Sequence, residues 1–269
     1  MKKTVFHWLW IISAAPFLMA SLNSCTLSYG IANTAEATRY QPKPAYHDKD
    51  TSASYVSAYL SHNDGYGYFT NEDIIFGGAR FHRAHTFKNF NLAYGAFGYA
   101  GSYNVQLVRD LQGEKSFFGG GLSGEANLNI PLFDLFDWRV LGIRATAWGE
   151  GGEFARFKNE IRGKELEGSD GYATISDEAP NNFLTNLSLT SELVFKHDNF
   201  DLGLNGSYGF SIDPSSENSV ILHNYGVGAH FSRGRYTVFG NLNTSFSPYF
   251  IFDFNLFVNH YSVGFSYQI

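Results

Sequence analysis

The chain is short of cysteine, of proline and of positive charge, and each shortage removes a class of protein. A single cysteine, Cys25, in 269 residues cannot form an internal disulfide. The net charge of −6, with 19 Lys and Arg against 25 Asp and Glu, leaves no basic stripe to replace phosphate counterions, which argues against nucleic acid as a partner. After the first two dozen residues no apolar run is long enough for a membrane-crossing helix. No metal-ligand cluster, phosphate-binding loop or nucleotide motif occurs, so neither a metal nor a cofactor is expected beyond a lipid considered below.

What the chain has in quantity is aromatic residues and glycine: 26 Phe, 17 Tyr and 28 Gly, against 7 Pro and 2 Met. That mixture suits β-strands that meet lipid on one side and water on the other. Mean hydropathy is slightly negative, yet a barrel hides its hydrophobicity by alternating it.

Lys2 and Lys3 precede an apolar run from Val5 to Leu22, the order of a secretory signal. The run is nearly long enough to cross a bilayer, but it contains His7 and Pro16 and ends in small polar residues, so a cleaved signal is the preferred reading over a spanning helix. Cys25 follows Leu22, Asn23 and Ser24. That order resembles the lipobox of bacterial lipoproteins, and the resemblance implies that Cys25 is lipidated and becomes the first residue of the mature chain. The alternative is an ordinary signal cut nearby, leaving Cys25 discarded or as a free thiol. Two or more acyl chains anchor stably, so an N-terminal lipid on Cys25 would hold the chain at a membrane surface.

Residues 26 to 51 show no sustained period and are read as a flexible tether. Period two then takes over. In Phe200 to Ile212, Phe200, Leu202, Leu204, Tyr208, Phe210 and Ile212 alternate with Asp201, Gly203, Asn205, Ser207, Gly209 and Ser211. Such stretches exceed an ordinary globular strand of about five or six residues and match the roughly nine to eleven that cross a bilayer at a tilt. Ten candidate strands lie near 53–61, 73–85, 90–106, 116–131, 138–150, 185–197, 199–212, 219–232, 235–246 and 257–269. Short connections (87–89, 198, 233–234) alternate with long polar ones (62–72, 110–115, 151–185, 213–218, 247–256), the outer-membrane pattern.

The expected fold is therefore all-β: an antiparallel up-and-down transmembrane barrel of about ten strands, with eight to twelve as the range. Residues 1–24 are assigned to a lipoprotein-type signal peptide, 25–51 to a lipidated flexible tether and 52–269 to the barrel. With ten strands both termini fall at the short-turn, periplasmic end. A soluble, lipid-anchored sandwich or lipocalin-like barrel also alternates, but its outer face would be the Gly, Ser and Asn set, a poor solvent surface.

In the last strand, Ser262, Gly264, Tyr267 and Ile269 resemble the C-terminal signal read by the barrel-assembly machinery, with Ile269 where an aromatic is commoner. The resemblance implies a membrane and a route, and no activity.

Two resemblances to outer-membrane enzymes can be weighed against residues. Barrel lipid A deacylases and phospholipases use a His and a Ser two apart on one strand, so that the imidazole activates the hydroxyl. His260 with Ser262, and His230 with Ser232, have that spacing. Parity turns both pairs toward the lumen, away from lipid, and the Ser-Asn that follows in those families is replaced by Val263 and Gly264. Omptin-type proteases have ten strands and need Asp-Asp and Asp-His pairs near the rim; no Asp-x-Asp or Asp-x-His occurs in any strand here.

Glu125, Arg144 and Glu192 share the inward parity of consecutive strands and are expected to form one paired lumen network, plugging the barrel rather than lining a pore. The 151–185 loop, mixed in charge, is left to carry recognition, and the aromatic stretch 247–257, with Tyr249, Phe250, Phe252, Phe254 and Phe257, is expected to pack on its neighbours, meet the lipid interface or bind a partner. The expected partners are outer-membrane lipid and lipopolysaccharide, the assembly machinery, and a protein partner at the extracellular loops. The leading expectation is a lipid-anchored, non-enzymatic barrel with a structural, adhesive or surface-assembly role; a narrow solute channel and a His-x-Ser hydrolase are the alternatives.

Overall fold

The computed structural model describes residues 26–27, 31–46, 49–64, 72–106, 111–133, 135–161, 165–168, 171–175, 182–214, 221–246 and 258–269. Alternating apolar and polar residues give ten long strands: β2 (Thr51–Asp64), β3 (Asp73–Thr86), β4 (Phe90–Val105), β5 (Gly113–Phe133), β6 (Phe136–Gly152), β9 (Phe183–His197), β10 (Phe200–Ile212), β11 (Leu222–Arg233), β12 (Tyr236–Phe246) and β13 (Val258–Gln268). Each pairs antiparallel with its neighbour in sequence, and β13 pairs with β2 to close the ring. Closure is what a bilayer demands, because an open sheet edge would leave N–H and C=O groups unpaired in hydrocarbon.

The alternation sorts side chains between two environments. Leu60, Leu122, Leu204 and Val263 stand on the outer wall more than half exposed, whereas Ser61, Ser123, Asn241 and Ser266 are buried in the lumen. An apolar exterior around a polar interior identifies a barrel of the transmembrane kind and removes the soluble lipocalin-like alternative, whose apolar face would point inward. The turns joining β3 to β4, β9 to β10 and β11 to β12 are short, and Gly234 in the last of them sits at φ +59°. The C-terminus is held at this short-turn end, where the Gln268 N–H donates to Arg235 O and the Ile269 N–H to Ser54 O.

At the opposite end the connection from β6 to β9 is not a bare loop. It carries α1 (Glu153–Ile161) and two short strands, β7 (Glu165–Gly168) and β8 (Gly171–Ile175), with β8 pairing β1 (Thr26–Leu27) in parallel. Glu153 opens α1 and accepts from the Ser116 hydroxyl at 2.7 Å and the Ser116 N–H at 3.1 Å. Those bonds hold its carboxyl below the usual carboxylate range. The buried face of α1, with Phe154, Phe157 and Ile161, packs into the same cluster as Ile31, Tyr103 and Phe117, and the Phe154 ring stacks on Tyr103 with centroids 4.3 Å apart. The helix thus covers the long-loop mouth of the barrel. Of the connections expected to carry recognition, 247–257 lies outside the described residues.

The tether expectation is overturned. The stretch expected to be a flexible tether is, from Ile31 to Ala45, packed inside the barrel, with Ile31, Asn33, Glu36 and Gln41 wholly shielded from solvent. The tether reading took absence of apolar periodicity as absence of structure, but a segment buried in a polar lumen needs polar side chains, not an apolar stripe.

Candidate functional site: a lumen filled by its own N-terminal segment

The lumen segment enters at the mouth covered by α1. There the Ala32 N–H donates to Glu150 Oε2 at 3.0 Å, and Lys158 of α1 holds the same carboxylate at 3.2 Å. The Trp148 indole N–H donates to Asn33 O at 2.9 Å. One turn of 3-10 helix, Ala35–Ala37, then presents Glu36 to the middle of the barrel.

Glu36 is the hub of the first charge cluster. It accepts from Arg39 Nε at 2.7 Å, Arg80 Nη2 at 2.5 Å and the Tyr59 hydroxyl at 2.7 Å. The Arg39 guanidinium lies over the Tyr59 ring, 3.7 Å from its centroid. Taking these charges out of water is tolerable only because each is paired.

The second cluster contains the network expected from parity, enlarged and rewired. Arg144 Nε donates to Glu125 Oε2 at 2.8 Å, as expected. Glu192 does not reach that pair directly. It is bound by Arg139 at 2.7 Å, and the two carboxylates are joined by Lys43 of the lumen segment, 2.5 Å from Glu125 and 3.3 Å from Glu192. The two arginines also hold the segment's backbone: Arg144 Nη1 donates to Arg39 O at 2.9 Å and Arg139 Nη2 to Pro44 O at 2.9 Å. Sequence reasoning missed Lys43, Arg139, Glu36, Arg39 and Arg80. The inward parity of Arg80 on β3 was a signal available for one of them.

His230 and His260 face the lumen, as parity required, and both are engaged by the lumen segment. His260 Nε2 lies 2.7 Å from Thr34 Oγ1, and Thr34 Oγ1 also accepts from Ser245 Oγ at 2.8 Å. His230 stacks on Tyr40 with ring centroids 4.5 Å apart, and Tyr40 donates to Glu192 at 3.0 Å. Ser232 is bonded to Thr237 Oγ1 at 2.8 Å. The serine of the deacylase-like arrangement is therefore not what either imidazole binds, and neither pair is brought to the lipid face.

The four residues of the expected assembly signal sit on β13 and the residue after it. Gly264 faces the lumen against Phe239, where a Cβ would fall 2.2 Å from the ring. Tyr267 packs on Tyr236 with centroids 5.3 Å apart, and Ile269 is exposed. Cys25 lies outside the described residues. Thr26 and Leu27, which follow it, pair with β8 at the long-loop end, so the described chain does not begin at the end where Ile269 stands. The expectation that both termini share the short-turn end does not match this path.

No known protein family and no curated protein matches the chain. Similar solved structures include the β domain of the Bordetella autotransporter BrkA, at TM-score 0.44 and 9% identity over 81% of this chain and 99% of that one. An outer membrane channel from Pseudomonas putida F1 aligns at 0.38 and 8% identity, over 84% of this chain and 100% of its own. The outer membrane protease OmpT from Escherichia coli aligns at 0.33 and 8%, over 82% and 97%. At these identities the likeness concerns barrel architecture and nothing finer.

Proposed function

We propose that the chain is a lipid-anchored, self-plugged outer-membrane barrel whose role is structural, adhesive or in surface assembly, exercised by the groups at its long-loop end and not by passage through the lumen. The observation that carries this reading is the buried run from Ile31 to Ala45, tied by Glu36, Tyr40 and Lys43 to Arg80, Glu192 and Glu125 on three separate strands. Ten strands leave a narrow bore, and a covalently attached segment fills it. Short turns face the periplasm and long loops the cell exterior in such barrels, which supports the same orientation here.

A second reading, a gated channel for small solutes, draws support from the polarity of the packing. Among the described residues, both side-chain ends of Asn33, Gln41 Oε1 and Asn205 Nδ2 are buried without protein partners, and such groups take ordered water. A segment held by hydrogen bonds and water can be displaced more readily than one held by apolar packing. Planar-bilayer recording separates the two. The plugged reading predicts no unitary conductance from the intact protein and discrete openings once residues 31–45 are replaced by a short Gly-Ser linker. Spontaneous or voltage-driven openings of the intact protein would overturn it in favour of the channel.

A further inference from the structure

The contacts of the lumen segment give it a direction. β6 climbs from the short-turn end to the long-loop end, and along it Pro44 meets Arg139, Arg39 meets Arg144, Asn33 meets Trp148 and Ala32 meets Glu150. β9 runs the other way, and along it Ala37 meets Ser188, Tyr40 meets Glu192 and Tyr46 meets Lys196. The order is the same on both strands. The chain enters at the long-loop mouth, fills the barrel, leaves at the short-turn end and there begins β2.

We infer that the chain ahead of the lumen segment is displayed at the long-loop mouth, with Thr26 and Leu27 on the outer side of the membrane. The inference rests on the orientation given under the proposed function. Four residue steps separate Leu27 from Ile31, a reach of about 14 Å when fully extended. The apolar band of such a barrel is roughly 25 Å tall. The lumen is taken, and an unpaired backbone cannot run back through hydrocarbon. Thr26 and Leu27 therefore have no route to the periplasmic face. The pairing of Thr26 and Leu27 with β8, in the connection between β6 and β9, is a second and independent tie to the same mouth.

Two epitopes test this, one inserted directly after Cys25 and one after Arg235 in the β11–β12 turn, with antibody staining of intact and permeabilised cells and heat-modifiable migration as the check on folding. The N-terminal epitope is expected to stain intact cells at least tenfold above background, and the Arg235 epitope only after permeabilisation. Staining of both only after permeabilisation overturns outer display while leaving the orientation standing. Staining of the Arg235 epitope alone in intact cells overturns the orientation and the display together, and staining of both in intact cells overturns the separation of the two ends. Should an inserted epitope prevent assembly, labelling of Thr26→Cys and, separately, of Arg235→Cys by a membrane-impermeant maleimide, each measured above the parent's own labelling in intact and permeabilised cells, gives the same readings.

Discussion

Lys43 Nζ lies 2.5 Å from Glu125 and 3.3 Å from Glu192, so a residue of the N-terminal segment joins two strands that do not pair with each other. Both carboxylates are almost completely buried. Removing one partner of a buried ion pair costs several kcal/mol, but Arg144 and Arg139 remain to hold Glu125 and Glu192. Lys43→Met is therefore expected to lower stability by about 2–3 kcal/mol. The urea concentration at which the unheated, fast-migrating gel form disappears measures it, and Glu125→Gln added to Lys43→Met should deepen the loss, because it leaves the buried Arg144 without its carboxylate.

Arg139 and Arg144 both face the lumen although five residues separate them, which strict alternation forbids. The register shows why. Leu128 pairs with Leu141 and Asn129 with Arg139, so Val140 is an extra residue in β6, and the strand changes face there. Deleting Val140 should leave Arg139 and Arg144 four positions apart and restore strict alternation with Asp137, Arg139 and Arg144 all on the lumen face. A charged side chain facing mid-bilayer costs about 2–4 kcal/mol, and the deletion exposes none, so the variant is expected to keep the heat-modifiable form. A deletion variant that no longer migrates as a folded barrel would show that the bulge itself is required.

That bulge also marks how far the sequence carried the reading. The ten strands, their alternation and the inward set Glu125, Arg144 and Glu192 were legible because period two is long and regular in this chain. Arg139 was hidden by a one-residue slip that leaves no mark in composition. Lys43, Glu36 and Arg39 were hidden for another reason: burial is normally inferred from apolarity, and inside a polar lumen that rule inverts.

Glycines at the lumen face make room for specific neighbours. A Cβ on Gly203 would stand 1.9 Å from His230 Cε1 and push the ring off Tyr40, whereas a Cβ on Gly206, which shares the outward parity of Leu204 and Tyr208, would meet nothing nearer than Gly226 O at 4.0 Å. Gly203→Ala is expected to destabilise by about 1–3 kcal/mol through overpacking, and Gly206→Ala to stay within about 0.5 kcal/mol of the parent. The same urea series compares them.

His260 and Ser262 allow the hydrolase reading to be tested against the structural one. His260 Nε2 bonds Thr34, so His260→Ala should cost about 1–2 kcal/mol of stability by removing a buried hydrogen bond and leaving Thr34 Oγ1 with Ser245 alone. Neither His260→Ala nor Ser262→Ala is expected to change the acyl composition of lipopolysaccharide or phospholipid in expressing cells, measured by mass spectrometry. A lipid profile that shifts with expression of the parent and reverts in both variants would revive catalysis.

The central claim is that residues 31–45 occupy the lumen, and a cross-link reads it directly. Thr34 Oγ1 and Ser245 Oγ are 2.8 Å apart, one on the segment and one on the inner face of β12. With Thr34→Cys and Ser245→Cys together, a disulfide would close most of the chain into one loop, and the heat-denatured, unreduced protein should migrate faster than either single variant and lose that difference on reduction. Unchanged migration, with both introduced thiols open to maleimide in the folded barrel, would contradict the account.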